Sequence, residues 1–263
     1  MHLKRLVTAL ITVPVFYSYV MYLPPQYFLF LMTFFSTVGL AEFYAMYRLK
    51  GLFMYSGLFW GTALFIVFFT APDLFLQVLL CAVLATMTLR LFLKRDSAGS
   101  ISEVAVAVLG LIYIPGLLTF QLSLVKAGPV WVVMLYASVW AADSMAFYVG
   151  KSLGKRKLYP EISPNKTVAG AAGSLIGGII GAALIKATLL TQITILQTVI
   201  IGLAVGLSTM LGDLAESMFK RDAGVKDSSH MVPGHGGVLD KLDGVLFAGP
   251  VFYWVCLLLG VIH

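Results

Sequence analysis

A chain of 263 residues that is 60% hydrophobic and only 11% charged differs from a soluble domain, in which roughly a quarter of the residues carry charge. The formal net charge of +6 does not indicate a nucleic-acid partner, because the basic residues are dispersed among apolar segments. The composition therefore predicts an all-α, polytopic integral membrane protein that forms one unit.

Nine apolar segments are long enough to be transmembrane helices, which need about 20 residues to cross the hydrocarbon core. In chain order they cover Leu6–Leu23, Tyr27–Tyr47, Leu52–Thr70, Leu74–Leu89, Val104–Leu122, Val130–Val149, Val168–Leu190, Ile195–Leu214 and Val245–Ile262. No convincing small-residue cleavage site follows the first segment, so we expect a retained span rather than a signal peptide. Pro14 and Pro115 lie within spans, where membrane helices tolerate proline.

The distribution of basic residues predicts the topology. With nine spans, 16 of the 18 Lys and Arg residues lie on one side, and only Lys126 and Lys186 lie towards the other. The positive-inside rule then places the N-terminus and the long polar loops after spans six and eight in the cytoplasm. The loops on the far side are short, so we expect an active site that faces the cytoplasm.

Carboxylates recur at the cytoplasmic ends of the later spans. Asp143 lies inside the sixth span, Asp213 and Glu216 share one face of the eighth, and Asp240 and Asp243 repeat the three-residue spacing before the ninth. An acid inside a membrane costs roughly 2.5–3.5 kcal/mol, so it usually faces a cavity or a partner. Mg²⁺ prefers such hard oxygen ligands and completes its octahedron with water and substrate phosphate.

These acids therefore predict a magnesium site that draws on Asp143, Asp213 and Asp240. The alternative interpretation is that they form structural ion pairs with Lys166, Lys220 or Lys226.

The Gly/Ala-rich segment Val168–Ala183 carries small residues every three to four positions, a pattern that is typical of close helix packing.

Glycines and basic residues between the last two spans indicate phosphate binding. The turn at residues 233–237 reads Pro-Gly-His-Gly-Gly, and glycines let backbone N–H groups approach an anion. Its neighbours Lys220, Arg221 and Lys226 are basic, and we interpret His235 first as a phosphate contact. After span six, Ser-Pro-Asn-Lys-Thr at residues 163–167 places Lys166 just before a helix start, with Thr167 as its cap.

Together these motifs resemble the phosphatidate cytidylyltransferase family, also called CDP-diacylglycerol synthases. The resemblance covers roughly the C-terminal half of the chain, and the first five spans match only in being hydrophobic. Its signature positions are Ser217, Lys220, Arg221, Lys226, Asp227, Ser229, Pro233, His235, Gly236, Gly237, Asp240 and Asp243. Two positions depart from the family pattern, because Lys241 replaces an arginine and Ala169 replaces a glutamate.

The resemblance implies transfer of a cytidylyl group from CTP to phosphatidate with Mg²⁺, and it leaves a second cation open. It also implies a bacterial cytoplasmic membrane, contact with membrane lipids and the option of a homodimer. The catalytic residues would be Asp143, Asp213, Lys226 and Asp240. The substrate-binding residues would be Lys166, Ser217, Lys220, Arg221, Asp227, His235, Gly236 and Gly237. The metal-binding residues would be Asp213 and Asp240, supported by Asp143, Glu216 and Asp243.

On this interpretation residues 1–125 form a lipid-facing packing half and residues 126–263 form the catalytic half. Two other enzymes fit the same motifs, a CTP-dependent lipid kinase and a cytidylyltransferase for another lipid phosphate. A third alternative is an ion-coupled secondary transporter, in which intramembrane carboxylates bind the coupling ion. The concentration of polar residues in one half argues against the paired broken helices that such transporters contain.

Overall fold

The computed structural model describes residues 13–94, 96–229 and 236–262. Residues 13–22 are helical. The next six helices are α1 (Pro25–Met46), α2 (Gly51–Thr70), α3 (Phe75–Leu93), α4 (Ser100–Leu111), α5 (Leu117–Ala127) and α6 (Pro129–Leu153). A hairpin of β1 (Lys157–Tyr159) and β2 (Ser163–Thr167) follows, and then α7 (Val168–Thr188), α8 (Ile195–Asp222) and α9 (Leu239–Leu258).

The predicted all-α membrane architecture is confirmed. Eight segments among the described residues are helical, long and apolar enough to span a membrane, with α4 and α5 forming one of them. The expected first span, Leu6–Leu23, lies partly outside the described residues. Helix α8 continues to Asp222 and α9 begins already at Leu239, because both helices extend beyond their apolar runs into the charged segments. The predicted cytoplasmic N-terminus stays a prediction.

The fifth span contains a π-helical turn at Ile112–Gly116, between α4 and α5. Pro115 lies in this turn, and proline has no N–H to donate to the helical ladder. A local π-turn rearranges the hydrogen bonds around the missing donor. The span therefore continues through the proline, as the sequence predicts.

Helices α6, α7 and α8 pack closely through the predicted small-residue stripe. A Cβ atom at Gly177 would overlap the carbonyl oxygen of Ala141 on α6, and one at Gly206 would overlap backbone atoms of α7. At this contact the Ser174 hydroxyl donates a 2.8 Å hydrogen bond to the Gly206 carbonyl. The stripe is thus a packing surface, and it brings the acid-bearing helices α6 and α8 together.

A two-stranded β-hairpin interrupts the helices between α6 and α7. Its strands are antiparallel, with Lys157 opposite Thr167 and Tyr159 opposite Ser163. The Thr167 hydroxyl accepts a 3.1 Å hydrogen bond from the backbone N–H of Gly170, which confirms it as the cap of α7. Lys166 is therefore held on a short strand rather than in an irregular loop.

Candidate active site

Helices α8 and α9 meet closely at their polar ends. A Cβ atom at Gly212 would overlap the carbonyl oxygen of Asp243, so only glycine permits this approach. The next residue, Asp213, forms a 2.8 Å ion pair with Lys166 and lies 3.5 Å from the Ser217 hydroxyl. At about 1.5 Å per residue, Asp213 lies roughly 27 Å along α8. This position corresponds to the edge of a hydrocarbon core that is about 30 Å thick.

Lys220 joins two carboxylates at the centre of the site. Its Nζ lies 2.6 Å from Asp240 Oδ1 and 3.3 Å from Glu216 Oε2. The side chains of Lys220 and Asp240 are each 11% exposed, and that of Glu216 is fully buried. The ammonium group is therefore held by opposite charges on two different helices, which fixes the position of α8 relative to α9.

The second carboxylate oxygen of Asp240 holds the loop before α9. Oδ2 accepts hydrogen bonds from the Ser228 backbone N–H at 3.1 Å, from the Ser228 hydroxyl at 2.9 Å and from the Gly237 N–H at 2.7 Å. Gly236 has a φ of 82°, a backbone conformation that favours glycine. The Gly237 N–H thus has a partner within the protein, and the predicted phosphate cradle would depend on other donors.

One important residue is absent from the sequence-based prediction. Glu42, on α1, is only 4% exposed, and its carboxylate accepts hydrogen bonds from the serines at 228 and 229 and from the start of α9. The sequence does contain one indication of its importance. Glu42 is a lone carboxylate inside the second predicted span, and an acid inside a membrane is costly unless it has a specific partner. The family motifs all lie in the C-terminal half and do not include Glu42.

The remaining acids make the site negative. Asp143 is exposed on α6 and lies within electrostatic range of Asp213 and Asp243, and Glu216 is in range of Asp243. Neither oxygen of Glu216 accepts a hydrogen bond from a described residue.

Asp213, Glu216 and Asp240 form ion pairs with only two lysines, Lys166 and Lys220, so these contacts have an excess of carboxylates. In the described ranges, no three His, Cys, Asp or Glu side chains are grouped tightly enough to hold a metal ion alone. A Mg²⁺ ion needs only one or two carboxylates when substrate phosphate and water supply its other ligands. The residues present therefore fit a magnesium ion that binds together with a phosphate substrate.

Three of the other predicted substrate residues, Arg221, Lys226 and Asp227, lie at the end of α8 and in the loop after it. Arg221 is exposed, and its Nε donates a 3.3 Å hydrogen bond to the carbonyl of Ile162 in the hairpin. Lys226 and Asp227 are exposed in the loop after α8. His235 lies outside the described residues. The structure thus brings Lys166, Ser217 and Lys220 together with the acids, whereas the roles of the loop residues stay predictions.

Comparison with known proteins identifies a family model that matches nearly the whole chain and relatives that match parts of it. The model of the cytidylyltransferase family matches residues 3–259. A phosphatidate cytidylyltransferase of Bacillus subtilis (strain 168) is 37% identical over 183 residues, which cover 68% of this chain and 67% of that protein. The corresponding protein of Synechocystis sp. (strain PCC 6803) is 46% identical over 136 residues, which cover 50% and 45% of the two chains.

A third relative carries no activity in its name. The uncharacterized protein YnbB of Escherichia coli (strain K12) is 35% identical over 206 residues, or 75% of this chain and 69% of that protein. The matches therefore extend beyond the C-terminal motifs on which the sequence-based resemblance depends.

Proposed function

Since the chain belongs to the cytidylyltransferase family, we propose that it transfers the cytidylyl group of CTP to phosphatidate, yielding CDP-diacylglycerol and pyrophosphate. The observation that carries the proposal is the convergence of Lys166 and Lys220 with the acids of α8 and α9 at the end of a membrane helix. A lipid phosphate in the membrane and a soluble nucleotide could both reach such a site.

The proposed reaction suits a site rich in charges, because the lipid phosphate is itself an anionic nucleophile and no hydroxyl or thiol has to be activated. A phosphate oxygen of phosphatidate attacks the α-phosphorus of CTP, and the bond from that phosphorus to the bridging oxygen of the β-phosphate breaks. The bond electrons leave with pyrophosphate. Both reactants are anions, so the protein mainly has to neutralise charge and align the reacting atoms. Lys166 and Lys220, together with Arg221 and Lys226 from the loop side, would provide the positive charge.

We propose that Asp213 and Asp240 hold Mg²⁺, with Glu216, Asp243 and Asp143 supporting them. The ion would neutralise the phosphate oxygens on which charge develops. In the structure Lys166 and Lys220 already pair with the two proposed ligands. When phosphate groups bind, the same lysines can pair with them, which leaves carboxylate oxygens for the metal.

The cellular arrangement is part of the proposal. The many apolar helices make this a multi-pass integral membrane protein. The bacterial relatives support a bacterial cytoplasmic membrane, and the distribution of Lys and Arg supports a site on the cytoplasmic side, where CTP is available. A Glu161→Cys variant would test the orientation, because Glu161 is exposed on the hairpin turn. A membrane-impermeant thiol reagent should label this cysteine in inverted vesicles and not in right-side-out vesicles.

Purified protein in mixed micelles with phosphatidate, labelled CTP and Mg²⁺ would test the reaction. We expect label in a CDP-lipid with release of pyrophosphate, and loss of both products when the metal is chelated. Asp213→Asn should lower the rate by at least about a hundredfold. Losing about 3 kcal/mol of charge stabilisation in the transition state has an effect of this size. Asp96→Asn is the matched control, because Asp96 is an exposed acid that pairs with Arg90 away from the site.

Three outcomes would contradict the proposal. Release of CDP with a phosphorylated lipid would identify a CTP-dependent lipid kinase. Labelling of another lipid phosphate, but not of phosphatidate, would change the substrate. Full activity of Asp213→Asn, or of chelated enzyme, would show that the assigned metal site is wrong.

A further inference from the structure

Glu42 has an unusual environment for a residue near the end of a membrane helix. Its side chain is buried, and it lies on α1, about 190 positions before the loop that it contacts. Oε1 accepts hydrogen bonds from the Ser229 hydroxyl at 2.5 Å and from the Val238 N–H at 3.0 Å. Oε2 accepts them from the Ser228 hydroxyl at 3.2 Å and from the Leu239 N–H at 2.7 Å. Among the residues that the structure describes, two donors thus meet each carboxylate oxygen.

Two of these donors belong to the first turn of α9. The first N–H groups of a helix have no partner within the helix, and a nearby side chain usually caps them. The N-cap residue of α9 is Val238, which provides no side-chain cap. Glu42 supplies this cap from another helix, and its negative charge suits the positive end of the α9 dipole.

The other two donors connect Glu42 to the candidate active site. The Ser228 hydroxyl lies between Glu42 and Asp240, with oxygen distances of 3.2 Å and 2.9 Å. A serine hydroxyl has one proton, so it can donate to only one of them at a time. A Cβ atom at Gly237 would overlap the Ser228 hydroxyl and both oxygens of Glu42. A continuous set of contacts therefore runs from Glu42 through Ser228 and Asp240 to Lys220.

We infer that Glu42 is a positioning residue for the nucleoside triphosphate: it holds the segment 228–229 and the start of α9, and thereby fixes Asp240 and Lys220. The inference rests on the proposed function, because it assumes that this centre receives CTP. Glu42 itself need not touch the nucleotide. Its role predicts that its loss weakens CTP binding more than binding of the lipid, which reaches the site from the membrane.

Two substitutions separate the charge from the geometry. Glu42→Gln has nearly the same shape, but its amide N–H₂ group would face two of the four donors, because an amide has only one acceptor oxygen. Glu42→Asp keeps the charge and is shorter by one methylene. Glu103→Gln is the matched control, since Glu103 is a half-buried acid in the first turn of α4 that forms ion pairs with Arg90 and Lys94, away from the site.

The test uses the full-length protein in mixed micelles, with two measurements that do not depend on each other. Steady-state kinetics give KM separately for CTP and for phosphatidate. Thermal unfolding at increasing CTP and Mg²⁺ gives an apparent Kd for the nucleotide without any reaction. We expect Glu42→Gln to raise KM and Kd for CTP by about ten- to hundredfold, the cost of losing hydrogen bonds to a charged group. KM for phosphatidate should change by less than about twofold, and Glu103→Gln should match the wild type.

A purely structural role would give a different result. Glu42→Gln would then unfold at lower temperature and show a lower apparent kcat, with KM and Kd for CTP equal to those of Glu103→Gln, and the inference would be wrong. If Glu42→Gln does not fold, Glu42→Asp decides, because an unchanged Kd for CTP in that variant also overturns the inference. If the wild type binds CTP but forms no CDP-lipid from phosphatidate, the proposed function fails while the nucleotide Kd still tests Glu42.

Discussion

Replacing Lys220 by methionine tests the central ion pairs of the site. Methionine keeps an unbranched side chain of similar length but removes the ammonium group that pairs with Asp240 at 2.6 Å and with Glu216 at 3.3 Å. Glu216 is fully buried and Asp240 is 11% exposed, so the substitution leaves two largely enclosed carboxylates without an ion-pair partner. Breaking a buried ion pair by removing one partner costs about 3–5 kcal/mol.

For a chain of this size about 1 kcal/mol lowers the unfolding midpoint by about 2–4 °C, so we expect a fall of about 6–20 °C. Thermal unfolding in detergent micelles measures this change, and the micelle assay with labelled CTP measures activity. Lys94→Met is the matched control, because Lys94 is 54% exposed and pairs with Glu103. An exposed pair contributes about 0–1 kcal/mol, so this control should lower the midpoint by only a few degrees.

A second substitution separates stability from function. In the Lys220→Met variant, Glu216→Gln removes one of the two unpaired charges and should restore part of the lost stability. It should not restore CDP-lipid formation, since the positive charge for the phosphates is still missing. If Lys220→Met unfolds at the same temperature as Lys94→Met and keeps its activity, Lys220 holds neither the helices nor the substrate.

Two glycine substitutions test the close contacts around the site, with Gly249→Ala as the common control because a Cβ there meets only ordinary contacts at 3.6 Å or more. Gly237→Ala would overlap the Ser228 hydroxyl, so we expect the loop to shift and CTP binding to weaken by about tenfold, the effect of roughly one hydrogen bond. Protection by CTP against thermal unfolding measures it, and an unchanged Kd would contradict the assigned loop geometry. Gly206→Ala would overlap the Ser174 carbonyl and should destabilise the protein by about 1–3 kcal/mol, although alanine is the better helix former. A higher unfolding midpoint than that of Gly249→Ala would refute this packing argument.

The sequence predicted the helices well because the membrane imposes a simple rule on length and polarity. The eighth predicted span begins at Ile195, as α8 does, but hydropathy predicts its end at Leu214, where the apolar run stops. The helix continues to Asp222 because its polar end packs against α9 and the hairpin, and hydropathy does not report such contacts. Hydropathy also misses the polar start of the last helix. The predicted span begins at Val245, whereas α9 begins six residues earlier, at Leu239.

The sequence predicts which acids and lysines belong to the candidate site, but it does not predict which lysine pairs with which acid. Spacing along the chain placed Asp213 and Glu216 on one helix face, yet the structure pairs Asp213 with Lys166 and Glu216 with Lys220. Which lysine meets which acid depends on the rotation of each helix and on the hairpin, and neither follows from one sequence. The acids thus form ion pairs with Lys166 and Lys220, and these contacts are compatible with metal binding once substrate phosphates attract the lysines.

Glu42 also bears on the predicted division at residue 125. That division assigned packing to the first half and chemistry to the second, and it stays a prediction for the chain as a whole. Yet α1 supplies the cap of α9, and the hydroxyl of Tyr47 at its end donates a 3.3 Å hydrogen bond to the Phe219 carbonyl of α8. A shift of α1 would therefore move the start of α9, because the N–H groups of a helix terminus follow the carboxylate that caps them. The N-terminal helices thus contribute to the geometry of the site, although they carry none of the recognisable motifs.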